Sequence, residues 1–471
     1  MSATWLWQGD YEGMERVSTA PEASGSIGSW SEVKPEDAVF VLEESRMIEL
    51  WRFPNATVFN AGVAAASIMS ITEKLRKWSR AGLTRSALED ERLYRVSVVH
   101  LELVELMRIN SRGQPLGKGK AILRLDAGMI EHDELLWPDD PVLRRVVRTA
   151  VSALYAIGLD MGEADIALCG DGGTAVRDAR SIQDESLRMM ALRRFAVWHT
   201  LIQADAEAME GKKLLIGADP EFVLLRPDGK IAPASRFLGE GVNNAAGSDA
   251  MLIGKRIVYP VAELRPEPAA DPTTLARHVQ RLLHRAAAKI DDASLRWAAG
   301  AMPVPGLALG GHIHLSGTPL SSRLLRLLDS YMAFPLALVE DPAGRGRRPR
   351  YGALGDFRRQ PHGGFEYRTL PSWLVSPAAA KAIFALALLC AREARTLSYI
   401  PALDERYVEA FYAGDRAELA GCLDHVAASA AATPSYAALE PYIEPLLDAA
   451  RRGATWDERA DIRIKWRIPR P

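Results

Sequence analysis

Four short segments between residues 217 and 373 repeat one pattern that a folded chain can satisfy in few ways. GADPEFVLL (217–225) carries Asp219 and Glu221, and YPVAELRPE (259–267) carries Glu263 and Arg265. GGHIHLSG (310–317) carries His312 and His314, and GGFEYRTLPSW (363–373) carries Glu366 and Arg368. Each pair sits at i and i+2, which in an extended strand is one face. Large apolar residues alternate with the charges (Phe222, Leu264, Ile313, Tyr367), as a sheet packed on one side requires. One charged face alone is most simply a solvated face. Stacked in one sheet, the four would gather four carboxylates, two imidazoles and two guanidiniums.

Carboxylates gathered in this way repel one another and raise some of their pKa values. Divalent cations resolve the repulsion, and oxygen-rich clusters suit Mg²⁺ or Mn²⁺. Arginines beside them grip phosphate or carboxylate oxygens bidentately. Metals and arginines over a sheet are what phosphoryl transfer from ATP uses. Plainer readings stand beside these: Arg265 as a salt-bridge partner of Glu263 or Glu267, His314 as a satisfied core histidine, His362 as a loop residue rather than a base. The two glycines before His312 would let backbone, or a bound phosphate, approach closely.

At 471 residues the chain exceeds the size of one core, so two or three domains are expected. A formal charge of −2 marks no nucleic-acid binder. The basic run GRGRRPR (344–350) fits a loop guiding ATP or an acidic substrate better than a nucleic-acid contact. Three scattered cysteines point to reduced thiols rather than a disulfide framework. The first residues lack a signal pattern, and the longest apolar stretch, AIFALALLCA (382–391), is too short to span a bilayer. A soluble cytoplasmic protein with no membrane partner is the expectation.

Residues 1–36 read as a polar lead-in, and 37–183 as a small α/β domain. Within it DAVFVLEES and ELWRFPNATVFN read as short strands, and AAASIMSITEKLRKWSRAGL as a helix. YRVSVVHLELVELMRI reads as a strand pair, the stretch after Pro141 as a helix, and DIALCGDGGTAVRD as a hairpin turning at GDGG. Residues 184–212 read as a helical connector, 213–400 as a strand-rich domain, and 401–471 as an Ala-rich helical tail. Inside the strand-rich domain, one helix starts at Asp271-Pro272 and another at Ser376-Pro377, running to about 398.

Read in order, GADPEF, PASRFLG, ELRPEP, GGHIHL, RYGALGDFR and GGFEYRTLPSWLVSP resemble the phage-type COOH–NH2 ligases. These belong to the amidoligase superfamily, similar in fold to glutamine synthetase and glutamate–cysteine ligase. The resemblance covers residues 214–400. It implies an α+β fold with an antiparallel catalytic sheet, and an ATP- and Mg²⁺-dependent enzyme that activates a carboxylate as an acyl phosphate for attack by an amine. Carried over, Asp219, Glu221 and Glu263 would hold metal. One of His312 and His314 would be a metal ligand or phosphate contact. Glu366 would give a carboxylate to metal, while Arg368, Arg358 and Arg265 would contact anionic groups. Asp249, in GSDAM, falls where relatives have Gly-Asp-Gly, which leaves that loop's role open. The substrates implied are small-molecule or peptide carboxylates and amines, with sites that in glutamine-synthetase-like folds sit at contacts between copies in a homo-oligomer.

The front half is similar to ATP-grasp enzymes at VFNAGVAAASIMSITEKLRKWSRAGL, YRVSVVHLELV and ALYAIGLDMGEADIALCGDGGTAVRDARS. The adenine-clamping lobe is missing, and Asp178-Ala179-Arg180 replaces the Glu-x-Asn that holds Mg²⁺. An arginine there would repel the cation. A truncated, degenerate ATP-grasp-like domain follows, used as scaffold or for capture of a substrate tail. Two other function classes compete with the ligase: a metal-dependent hydrolase using the HxH strand, and a non-catalytic assembly protein built on decayed ligase domains.

Overall fold

The computed structural model describes residues 3–7, 14–17, 27–34, 36–42, 57–85, 92–116, 120–126, 135–208, 213–240, 245–253, 256–361 and 363–470. His362 and the first residues of the expected strand ELWRFPNATVFN lie outside them. The chain divides into two compact units, residues 1–211 and 212–471.

In the first unit β1 (Thr4–Trp7), β2 (Met14–Arg16), β3 (Ile27–Gly28), β4 (Ala38–Val41) and β5 (Thr57–Phe59) form a mixed sheet in the order β3-β2-β1-β4-β5. A second sheet, antiparallel throughout, runs β10-β9-β6-β7-β8. Its strands are β6 (Arg92–Val99), β7 (Glu102–Ile109), β8 (Leu123–Arg124), β9 (Met161–Leu168) and β10 (Thr174–Arg180). The expected β6–β7 pair turns on His100 and Leu101, both at positive φ (50° and 66°), as a two-residue hairpin demands. The single helix read over 64–83 is two, Val63–Ile68 and Ile71–Arg80. Ser70 ends the first run by capping the second, its side chain and that of Glu73 forming a capping box. Helix Pro141–Ala156 buries Val146, Val147, Ala150 and Leu154, and it packs on β9 and β10. Helix Glu185–Ala208 also packs in this unit: Arg194 pairs with Glu102 at 3.0 Å, both buried, and Phe195 meets Phe40 and Phe59.

The second unit holds an eight-stranded sheet. Its strands are β11 (Leu215–Leu225), β12 (Ile231–Ala232), β13 (Ala246–Ile253), β14 (Arg256–Leu264), β15 (Arg296–Ala298), β16 (Gly311–Ser316), β17 (Phe357–Arg359) and β18 (Phe365–Tyr367). The order is β13-β14-β11-β16-β18-β17, antiparallel at every step, with β12 and β15 also pairing β11. The four segments singled out by their charge pattern are β14, β11, β16 and β18, adjacent in the sheet. The fold class is α+β with an antiparallel sheet, as the sequence implied.

The apolar positions of these strands make the other face. Phe222 stacks on Trp297 at 4.9 Å, and Trp373 meets Phe384 of the helix Pro377–Arg392 edge-on at 4.8 Å. Helix Pro272–Ala287 starts as expected, Asp271 accepting from Thr274 N at 2.8 Å. Helix Pro377–Arg392 starts at the expected Ser376 cap but stops short of 398. The residues 322–339 are helical, with a π-helical turn at Asp329–Ala333, and this element has no counterpart in the sequence reading. The segment is buried on nearly every side, so it shows no polar stripe from which a period could be read.

Two basic stretches each turn part of their charge inward. In the run 344–350, Arg347 is buried and donates to Thr369 O (2.6 Å) and Leu370 O (2.7 Å). Arg348 pairs with Glu340 and lies 4.4 Å over the Phe411 ring. The reading of this run as a loop that guides ATP is corrected for these two side chains. In the C-terminal stretch Arg463 is buried against Asp461 at 2.7 Å, and Trp466 Nε1 donates to Leu374 O at 2.7 Å. Among the described residues no helix is long and apolar enough to cross a membrane.

Candidate active site

The register of the second sheet decides which polar residues meet. Asp219 on β11 faces His312 on β16, and Glu221 faces Glu263 on β14. On β18, Glu366 faces His314 on one side and Arg358 of β17 on the other. Directly opposed side chains in antiparallel strands stand about 5 Å apart at Cβ, within mutual reach.

Glu366 is the centre of this face. It is fully buried, yet four donors reach its two oxygens. His312 Nδ1 lies 3.0 Å and Arg368 Nη1 2.6 Å from Oε1, while Arg358 Nε (2.7 Å) and Gln360 Nε2 (3.1 Å) reach Oε2. Burial alone would raise this carboxyl, but His312, Arg368 and Arg358 outweigh it and hold it at about 2. Among the described residues, Asp219, His312 and Glu366 form a group whose ligand atoms all lie within 4.8 Å of one another.

The two histidines part company. His312 belongs to this cluster, whereas His314 Nε2 makes a 2.8 Å contact with Asp219 Oδ2. Asp219 is thus held from one side by His314 and offered on the other to His312 and Glu366. Glu221 lies one step along β11 and is turned inward, accepting from Gly310 N at 2.7 Å. Burial pushes its carboxyl up, against the pull of His312 and that N–H. Glu263 pairs with Arg265, two residues on, as the plainer reading of Arg265 held. So of the five residues expected to hold metal, Asp219, His312 and Glu366 converge, while Glu221 and Glu263 have other partners. Of the residues expected at anions, Arg358 and Arg368 stand on Glu366, Arg265 on Glu263, and His314 on Asp219.

The glycines of GGHIH have packing roles. A Cβ at Gly310 would lie 2.6 Å from His312 Nε2, so the ring occupies the space a side chain would fill. A Cβ at Gly311 would lie 2.5 Å from Pro371 O and 2.7 Å from the Trp373 ring. Close backbone approach is therefore the reason for Gly311. At Gly310 it is the His312 imidazole that comes close.

The sequence reading missed Gln360 and Asp356. Asp356, Arg358 and Gln360 occupy i, i+2 and i+4 along the stretch that contains β17, a fifth polar row of the kind that revealed the others. Its strand is only three residues long and surrounded by Gly, Arg and Pro, so the row shows no strand period in the sequence. A third missed residue, Asp329, comes from the π-helical turn: it is fully buried and its Oδ1 accepts from Tyr367 Oη at 2.6 Å and Gly355 N at 3.0 Å.

Two carboxylate oxygens and one imidazole nitrogen converging at this range fit a divalent cation of the Mg²⁺ or Mn²⁺ kind, and the flanking guanidiniums suit an anionic group bound beside it. Such a cluster, flanked by arginines on an antiparallel sheet, suits the class of enzyme that joins a carboxylate to an amine. The family described as phage phiEco32-like COOH.NH2 ligase-type 2 matches residues 216–468, and this chain belongs to that family. Its members are carbon–nitrogen ligases that form amide bonds. No curated protein matches the chain in sequence.

Several solved structures are similar over parts of the chain. The bifunctional glutathione synthetase from Pasteurella multocida is 11% identical, with 57% of this chain and 54% of that one covered and a TM-score of 0.35. The ligase PafA, solved in complex with the prokaryotic ubiquitin-like protein Pup, is 12% identical, covering 51% and 64% at a TM-score of 0.39. GmaS, solved without ligand, is 13% identical, covering 81% and 96% at 0.28. The chain thus spans little more than half to about two thirds of the first two proteins.

Proposed function

We propose that the second unit is an ATP- and Mg²⁺-dependent ligase that activates a carboxylate as an acyl phosphate and passes the acyl group to an amine. One observation carries this reading beyond the family: the cluster Asp219, His312 and Glu366 with Arg358 and Arg368 against it. Asp219, His312 and Glu366 would hold the cation, which supplies charge neutralisation for the nucleotide phosphates. Arg358 is largely exposed and Arg368 about one-third exposed, so an incoming anion would reach both guanidiniums beside Glu366. Such guanidiniums would stabilise the charge that builds on the transferred phosphoryl group and on the acyl phosphate. His314 would fix the carboxylate of Asp219 in one orientation. Glu221 and Glu263 would form the second rank, tuned by Gly310 and Arg265 rather than open to metal.

The hydrolase reading needs both histidines on one cation. His314 is engaged with Asp219 instead, which favours the ligase. In the first unit, Arg180 stands among Glu163 (2.7 Å), Asp165 (3.2 Å) and Asp178 (3.0 Å). This supports reading it as a degenerate ATP-grasp-like domain, its acidic residues neutralised from within. We place the protein in the cytoplasm, with small-molecule or peptide substrates and no nucleic acid.

Positional isotope exchange tests the acyl phosphate. Wild-type protein is incubated with Mg²⁺, ATP labelled at the β,γ-bridging oxygen and a mixture of N-acetylated amino acids, without amine. Movement of label to a non-bridging β-oxygen is the expected result. Absence of exchange, alongside amine-dependent ADP release, would rule out the intermediate.

A further inference from the structure

A ligase of this kind must also hold its amine, which arrives in water as a cation and cannot attack until it loses a proton. The metal cluster and the arginines do not provide for that. We infer that Asp356 is the amine-site residue: its carboxylate binds the substrate ammonium and accepts the proton released before attack. The inference rests on the ligase reading.

Four other carboxylates of the sheet are committed. Asp219 and Glu366 belong to the cation cluster, Glu221 accepts from Gly310 N, and Glu263 pairs with Arg265. Asp249 stands on the edge strand β13, beyond Glu263 and at the far end of the sheet from Glu366. Asp356 differs from all of them. Its side chain is 48% exposed, and its Oδ2 lies 3.7 Å from Arg368 Nε, beyond hydrogen-bond distance. It is still part of the site, because the same Arg368 guanidinium reaches Glu366 Oε1 at 2.6 Å. It offers the lone pairs that an ammonium group needs, next to the guanidiniums that would hold the acyl phosphate.

The loop that delivers Asp356 is tied down residue by residue. Ala353 O accepts from Thr369 Oγ1 at 2.7 Å, and Leu354 N donates to Tyr412 Oη at 2.9 Å. Gly355 N donates to Asp329 Oδ1 at 3.0 Å, and Asp356 O accepts from Arg368 N at 2.9 Å. Gly355 takes φ +70°, which a side chain resists, so the turn before Asp356 is built for this path. An exposed carboxylate on so constrained a backbone is a positioned group rather than a surface accident.

Asp356 takes one proton from the substrate ammonium. The freed nitrogen lone pair forms the C–N bond at the acyl carbon, and the C–O bond to phosphate breaks with its electron pair leaving on phosphate. The second proton lost by nitrogen departs with that phosphate.

Hydroxylamine separates this role from a structural one, because at neutral pH it arrives uncharged and needs no base. Wild type, Asp356→Asn and Asp356→Glu are assayed for ADP release with Mg²⁺-ATP and N-acetylated amino acids, using ammonium chloride or hydroxylamine as nucleophile. Asp356→Asn is expected to lose about 100-fold with ammonium but no more than about fivefold with hydroxylamine, and Asp356→Glu to recover part of the ammonium rate. Mn²⁺ affinity, measured by electron paramagnetic resonance, should stay within about twofold of wild type if the cation cluster is untouched. Equal losses with both nucleophiles, or none, would overturn the assignment. If wild type releases no ADP with either nucleophile, the ligase reading itself fails and takes the amine site with it.

Discussion

At the scale of single residues, the second unit gathers its donors on Glu366, a buried carboxylate that stays ionised because His312, Arg368 and Arg358 crowd it. Its folded pKa of about 2 lies below the ordinary value of 4.5. The metal-free protein therefore gains stability from this group above about pH 4.5 and loses it as pH falls through about 2. The shift corresponds to about 3 kcal/mol. Chemical denaturation of metal-free Glu366→Gln should show that loss at pH 7, and a gap to wild type that closes as the pH approaches 2. A gap that stays constant with pH would refute the ion-pair account. Gly310 makes a second residue-scale prediction. Gly310→Ala would drive a methyl into His312 Nε2, costing about 1–3 kcal/mol by overpacking and weakening Mn²⁺ binding at least tenfold. Wild-type Mn²⁺ affinity in this variant would show that the imbalance falls elsewhere.

At the scale of elements, the strands that matter were legible because an alternation of period two survives in any strand buried on one side. β11, β14, β16 and β18 each announced themselves through two ionisable residues flanked by apolar ones, and they are neighbours in the sheet. Their cross-strand register was not legible, since it depends on hydrogen bonding between segments distant in sequence. That register is what separates His312 from His314. β17 was lost because three residues cannot display a period, and helices around Asp329 because a fully buried segment has no polar stripe. Caps read well. Asp271 is the N-cap its sequence position implies, and Asp271→Ala should cost about 1 kcal/mol in a urea unfolding curve. No change in midpoint would mean that Thr274 finds another acceptor.

At the scale of the whole molecule, the two units deal with charge differently. The second leaves Asp356 and Arg358 exposed, as a working site must. The first closes its sheet face on itself, Arg95 bonding Asp165 at 2.8 and 3.0 Å while Arg180 spans three carboxylates. Burial already pushes the Glu163 carboxyl up, and removing Arg180 would leave it, among the described residues, only Arg95, at 3.9 Å. Arg180→Ala should therefore destabilise the first unit by about 3 kcal/mol, read by calorimetry. Its effect on Mg²⁺-ATP turnover should be much smaller than that of Glu366→Gln; a larger one would return the chemistry to the first unit.

The central claim is that Glu366 anchors an ATP-dependent amide-forming site. Coupled-enzyme measurement of ADP release, with Mg²⁺-ATP and N-acetylated amino acids, with and without hydroxylamine, tests it most directly. Wild type should release ADP only when the amine is present, and Glu366→Gln should fall by about 100-fold or more. Amine-independent release, an active Glu366→Gln, or tightly bound zinc at unit stoichiometry with no ATP turnover would contradict it.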